Sequence, residues 1–350
     1  MRYCIRLFIK ANFYKLLLTA SYNVLYNILS GADRVLAALS ASMPLLLLSR
    51  KSQNGSVIMK FTKMHGIGND YIYVNCFEES VKEPEKLSVI LSDRRKGIGS
   101  DGLVLIIPSD KADFRMRIFN ADGSEAMMCG NATRCIGKYV YERGLTDKTN
   151  VTLETNSGIK YLELFTENGR VSSVRVDMGK AILNPADIPV NSQLERFVAQ
   201  PVETAGDTWN VTCVSMGNPH AVIFTEDIYG LDLEKIGPQF ENHSLFPNRI
   251  NTEFIEVISR SELNMRVWER GSGETFACGT GACASVTAAV LNGFCDYDSE
   301  VLVHLRGGDL RITYQSDGTV MMTGPAAFIC DGTVSEEFIE EAKENVVCRS

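Results

Sequence analysis

Residues 266–283 read Arg-Val-Trp-Glu-Arg-Gly-Ser-Gly-Glu-Thr-Phe-Ala-Cys-Gly-Thr-Gly-Ala-Cys, and the fold hangs on them. The stretch opens like a strand, passes through a polar, glycine-rich turn and arrives at Cys278-Gly279. The small-residue run Ala282 to Leu291 then predicts a tightly packed helix that stops at Gly293. Cys278 therefore stands at a helix N-terminus. Unpaired N–H groups and the positive end of the helix dipole favour a thiolate there. Taken alone, Cys278 reads first as a packing residue, because free cysteine is among the most buried side chains.

The same stretch occurs twice. Met116-Arg117-Ile118-Phe119 echoes Met265-Arg266-Val267-Trp268, and Glu125 before Cys129-Gly130 echoes Glu274 before Cys278-Gly279. The offset is 149 residues (278 − 129). It also joins Gly68-Asn69 to Gly217-Asn218, and Gly144 after the first helix to Gly293 after the second. One register shared by all these features predicts a duplicated α/β unit. The fold class expected is α+β, with two pseudo-symmetric α/β domains. Facing halves would set Cys129 and Cys278 on opposite sides of one cleft, each at its own helix N-terminus.

At 350 residues the chain has room for two domains, and 45% hydrophobic with 22% charged residues is a globular composition. The net charge is −8. Residues 1–58 run against it, with seven Lys/Arg and the single acid Asp33. The remainder is acidic, which argues against nucleic acid as a partner. Residues 1–58 are expected to be an upstream extension outside the fold, with a targeting segment as the alternative. The uncharged run between Arg34 and Arg50 holds Pro44 and is too short and broken to span a bilayer, and no membrane partner is expected. A fresh start comes at Met59-Lys60-Phe61. The ten cysteines include no C-x-x-C, and the four histidines are scattered, so no metal site is expected. Free thiols point to a reducing compartment, the cytoplasm.

Along the chain, Phe61 to Val74 carries Met64-His65-Gly66-Ile67-Gly68-Asn69-Asp70, a glycine loop leading into a strand at Tyr71 to Val74. The loop lacks G-x-G-x-x-G and precedes its strand, so it is no nucleotide fingerprint. A helix over Glu83 to Leu91 and strands over Leu103 to Ile107 and Phe114 to Phe119 follow. Val151 to Met178 predicts hairpins turning at Asn156-Ser157-Gly158 and Asn168-Gly169. Pro185 to Pro201 is the expected link, and the second half is expected to start near Val211. Strands are predicted at Ala221 to Phe224, Phe254 to Ile258 and Asn264 to Trp268, and beyond Gly293 at Val301 to Leu305, Leu310 to Tyr314 and Val320 to Thr323. Ser335 to Val346 predicts a charged, solvated helical tail.

Two helix-terminal thiols across a cleft suggest one thiolate removing a proton from a carbon while the opposite thiol supplies one to the other face. That inverts a stereocentre. A carbon acid next to a carboxylate is weak, so its anion needs N–H donors. Gly130 and Asn131 in one helix, and Gly279 and Thr280 in the other, could supply them. No pyridoxal-phosphate or nicotinamide signature is present, so no cofactor is expected.

With these motifs in place, residues 59 to about 333 resemble diaminopimelate epimerase. The resemblance rests on Met64-His65-Gly66-Ile67-Gly68-Asn69-Asp70, Phe119-Asn120-Ala121-Asp122-Gly123-Ser124, Cys129-Gly130-Asn131, Ser215-Met216-Gly217-Asn218-Pro219-His220, and Glu269-Arg270-Gly271 through Cys278-Gly279-Thr280-Gly281. It implies a cofactor-independent isomerase that interconverts LL- and meso-diaminopimelate in lysine and peptidoglycan precursor synthesis. It also implies a homodimer, with β-structure wrapped round a central helix in each half. By the same resemblance, Cys129 and Cys278 are the acid/base pair, and His220 and Glu269 tune the thiols. Asn69, Asn120, Asn218, Asn251, Glu269 and Arg270 meet the substrate. The implied domains are 59–184 with a returning segment 324–334, then 185–323, then a tail 335–350. The departures are the extension, the tail and Ala132, where the family commonly has glycine. A related racemase of the proline racemase type is the alternative. It would share the cysteines but not the full asparagine set with Glu269-Arg270.

Overall fold

A computed structural model describes residues 58–347. The expectations for residues 1–57 lie outside the described residues. The first half runs β1 (Ile58–Gly66), β2 (Asn69–Asn75), α1 (Pro84–Ser92), β3 (Gly102–Ile107), β4 (Phe114–Asn120), β5 (Glu125–Ala126), α2 (Gly130–Glu142), β6 (Asn150–Thr155), β7 (Gly158–Glu167) and β8 (Arg170–Lys180). The second runs β9 (Gln200–Thr204), β10 (Asp207–Ser215), β11 (Pro219–Phe224), α3 (Leu233–Glu241), β12 (Asn251–Ser259), β13 (Glu262–Glu269), β14 (Gly273–Glu274), α4 (Gly279–Leu291), β15 (Glu300–Leu305), β16 (Gly308–Tyr314) and β17 (Thr319–Gly324). β18 (Ala327–Ser335) and α5 (Glu336–Val347) close the described chain.

Strand pairing displays the duplication. β2 runs parallel to β3, and β4 to β6. In the second half β11 runs parallel to β12, and β13 to β15. β8 pairs with β17 antiparallel, which joins the two halves edge to edge. β18 returns to pair with β1, and β9 takes the corresponding place beside β10. This is an α+β fold with an internal repeat, as the echoed motifs predicted.

Each central helix is enclosed by its sheet. α2 packs on β8 and β1, and α4 packs on β16, β10 and β12. All but the ends of α4 is buried, which the run of Ala, Ser, Thr, Cys and Val permits by letting strands approach on every side. Its hydroxyls turn back onto the helix: Ser285 Oγ donates to the Gly281 carbonyl at 2.7 Å and Thr287 Oγ1 to Cys283 O at 2.9 Å. Gly144 and Gly293, both with positive φ, end the two helices where the sequence placed the stops.

Three expectations need correction. The Met64–Asp70 stretch is not a loop. β1 and β2 form a hairpin whose tight turn falls at Ile67-Gly68, both with positive φ, and His65 Nδ1 accepts the Gly68 N–H at 3.2 Å. The second half begins before Val211, because β9 and the start of β10 already pair there. The terminal helix is not wholly solvated: Phe338, Ile339 and Ala342 pack against a cluster built round Leu87, Ile90 and Leu91 of α1. The sequence reading also passed over α3, which repeats α1 and whose helix contains Pro238.

Candidate active site

Cys129 and Cys278 occupy the same backbone position. Each is the extended residue immediately before its central helix, at φ −137°, ψ 119° and φ −121°, ψ 106°. The two helix starts converge on Met322 of β17. A Cβ added at Gly130 would come within 2.7 Å of the Met322 methyl, and one at Gly279 within 3.2 Å of its sulfur. The same Gly279 position would lie 3.6 Å from Asn131 Oδ1 of the other half. Glycine after each cysteine is thus what lets the two N-termini approach.

The first thiol lies 3.4 Å from Asn69 Oδ1. That oxygen also accepts from Asn131 Nδ2 at 3.3 Å, and Asn69 Nδ2 donates to Asp101 Oδ2 at 2.7 Å. Burial pushes the Cys129 thiol up, while the N–H groups of Ala132 and Asn131, the Tyr71 hydroxyl and the Arg134 charge pull it back. Tyr71 was not anticipated. It occupies, in the repeat register, the place that His220 has in the second half.

Cys278 is only 5% exposed and accepts the Gly281 N–H at 3.3 Å. Its thiol is pushed well up, first by burial and then by the carboxylates of Glu269 and Glu253. His220 is fully buried behind it. Nδ1 faces Glu253 Oε1 at 2.6 Å and Nε2 faces Asn218 Oδ1 at 3.0 Å. Glu253 too was missed. It is fully buried, its Oε2 has no hydrogen-bond partner, and no motif marks it. Donor atoms of His220, Glu253 and Cys278 lie within 4.8 Å of one another, a proximity that spacing along the chain could not show.

Glu269 stands at the end of β13. Burial raises its carboxyl above the usual range, against the pull of a hydrogen bond from Thr275 and of the His220 charge. Asn251 opens β12, accepts the Arg270 N–H at 2.9 Å and donates to Pro219 O at 3.2 Å. Arg270 Nη1 donates to Asn248 O at 2.9 Å. Asn120 donates to Ser124 Oγ at 3.0 Å in the turn after β4. A cleft of 1360 Å³ is lined by Asn69, Asn120, Glu269 and Arg270, together with Arg94 and Asp101, which the sequence reading did not single out. The two cysteines, Asn218 and Asn251 are not on its wall.

A family model described as diaminopimelate epimerase matches residues 61–184 and 212–329, one block in each half. This chain belongs to the diaminopimelate epimerase family. It is similar to the diaminopimelate epimerase of Agathobacter rectalis, 59% identical over 284 residues, which span 79% of this chain and 99% of the relative. Similarity to the diaminopimelate epimerase of Methanococcus maripaludis is 53% over 277 residues, again 79% of this chain and 99% of the relative. Among solved structures, a probable proline racemase from Agrobacterium radiobacter superposes with a TM-score of 0.59 at 14% identity, covering 79% of this chain and 93% of that one. A phenazine biosynthesis protein of the PhzF family from Bacillus anthracis gives 0.58 at 16%, covering 79% and 99%. At such identities the solved neighbours share the fold alone. Members of the diaminopimelate epimerase family are isomerases, and the duplicated cysteine turn falls inside both matched blocks. No helix among the described residues is long and apolar enough to cross a membrane.

Proposed function

We infer that this chain interconverts LL- and meso-2,6-diaminopimelate without a cofactor, with Cys129 and Cys278 as the two acid/base groups. The observation that carries the reading is the pair of cysteines at the N-cap positions of two helices whose starts converge on Met322 from the two halves of a duplicated fold. One thiolate takes the α-hydrogen as a proton, and the C–H electron pair stays on the substrate, spread onto its carboxylate. The opposite thiol gives its proton to the other face and becomes the thiolate. Charge balances, and the centre is inverted. Backbone N–H groups of Gly130, Asn131, Gly279 and Thr280 meet the carboxylate as charge develops on it. Asn69, Asn120, Asn218, Asn251, Glu269 and Arg270 bind the two amino-carboxylate ends, with the Arg270 fork suited to the distal carboxylate. His220 and Glu269 adjust the second thiol. The working domains are taken as 59–184 with 324–334, and 185–323. A cytoplasmic homodimer is the expected setting. All described cysteines are free, which supports the compartment, and sedimentation tests the dimer.

The experiment is epimerisation of LL-diaminopimelate in D₂O. Early product should carry deuterium at its inverted α-carbon while unreacted substrate stays unlabelled, because the proton removed stays on one thiol and the new hydrogen comes from the other. Early product free of solvent deuterium would overturn the two-base reading. Racemisation of proline in place of diaminopimelate would favour the alternative substrate class.

A further inference from the structure

Arg134, one turn into α2, is 0% exposed, and its partners are all neutral. Nε donates to Pro325 O at 3.2 Å, Nη1 faces Gly130 O at 3.4 Å and Met322 Sδ at 3.6 Å, and Nη2 donates to Asn131 Oδ1 at 2.8 Å. The titratable groups that face it are Cys129 and Cys135 on its own helix, Cys283 on α4 and Tyr73 on β2, with no carboxylate among them. A guanidinium taken out of water without an anion is costly. The slot is nevertheless fitted to it, since a Cβ at Gly66 would come within 3.0 Å of Nη2 and one at Gly324 within 3.0 Å of Nε. At the same register in α4 stands Cys283, so the second half has no equivalent cation.

We propose that Arg134 is a positioning residue of the first half-site: it supplies the fixed counter-charge for Cys129 and locks the amide chain that ends on that sulfur. The proposal rests on Cys129 acting as an acid/base group. Arg134 can only donate, so Asn131 must turn its oxygen to it and its Nδ2 to Asn69 Oδ1. Asp101 at the far end only accepts, which fixes Asn69 from the other side. The Asn69 oxygen is thereby aimed at Cys129, where it can accept the S–H of the thiol form. Arg134, with the Tyr71 hydroxyl and the helix N–H groups, serves the thiolate form. An acid/base group must occupy both states, and this network provides for each. Tyr71 and Tyr73 of β2, and Arg134 and Cys135 of α2, are the titratable groups facing Cys129.

The test uses the full chain without substrate, following iodoacetamide alkylation of Cys129 and Cys278 against pH by peptide mapping. This alkylation arm stands whether or not diaminopimelate proves to be the substrate. Arg134→Gln should slow Cys129 alkylation at pH 8 about tenfold, and leave Cys278 within about twofold. Arg134→Lys should restore most of the Cys129 rate. Alkylation of Cys129 at the wild-type rate in R134Q overturns the proposal. Should R134Q lack the wild-type near-UV circular dichroism, R134K decides. Its ammonium keeps the charge but cannot hold both Asn131 and Pro325, so kcat for LL-diaminopimelate should fall at least tenfold. Wild-type kcat in R134K would overturn the proposal equally.

Discussion

In the first half Arg117 bridges Glu125, and in the second Arg266 bridges Glu274, each through Nε at 2.9 Å. The strand-to-turn geometry in front of each cysteine is therefore the same. Behind the cysteines the halves part. Cys129 sits among Tyr71, two asparagines and a buried cation, whereas Cys278 sits among His220, the buried carboxylate of Glu253 and the half-buried one of Glu269. Duplication fixes where a thiol stands. The residues packed round it afterwards decide how readily it ionises, because in a dry interior one neighbouring charge can outweigh the helix dipole.

The comparison breaks first if either half can work alone. Cys129→Ala and Cys278→Ala should each lower kcat by at least a factor of about 10²–10⁴, the usual worth of a positioned acid or base. A variant of either that epimerises near the wild-type rate would show that one half suffices. Oxidation offers a second route to the same end. Convergent helix starts should let Cys129 and Cys278 form a disulfide that abolishes activity and is reversed by dithiothreitol. Peptide maps of inactivated protein showing both thiols free would contradict it.

Charge asymmetry predicts effects of intermediate size and of opposite sign in the two halves. Both thiols are pushed up by burial, and a thiol is neutral when protonated, so thiolate accumulates only towards alkaline pH. kcat/KM should therefore climb with pH through neutrality. The Glu253 carboxylate helps hold Cys278 up, so Glu253→Gln should speed its alkylation several-fold at fixed pH and leave Cys129 unchanged. Slower alkylation of Cys278 would mean that Glu253 acts through His220 rather than through its own charge.

A smaller effect sharpens the comparison sterically. A Cβ at Gly281 would come within 2.6 Å of Glu253 Oε1 and 3.0 Å of the Met265 methyl, so Gly281→Ala should cost about 1–3 kcal/mol in urea unfolding. Its counterpart in the first half is already alanine, and Ala132→Gly should cost only about 1 kcal/mol, the helix penalty of glycine. Equal costs would mean that Glu253 does not set the space. The smallest effect expected is from removing residues 1–58. A chain starting at Met59 should fold and epimerise as the full chain does, since among the described residues it loses only the outermost β1 pair, Ile58 with Ser335. Failure of that chain to fold would give the extension a structural part.

The chain by itself announced the duplication, the two cysteines at helix starts and the helix stops at Gly144 and Gly293. Those features are local: a turn, a glycine stop and a small-residue run carry their meaning within a few residues, and repeating them in one register removes chance. The register could also have led from His220 to Tyr71. Residues without a counterpart could not be found that way. Glu253 stands one residue ahead of the strand predicted at Phe254, unmarked until β12 pairs between β11 and β13 and turns its carboxylate onto His220. Nothing in the sequence marks Arg134 until Gly66 and Gly324, far apart in the chain, leave the slot that buries it. Sequence determined where the two thiols stand. Only the tertiary structure decided which charges surround them, because burial and charge proximity arise from strands and helices that meet across the fold.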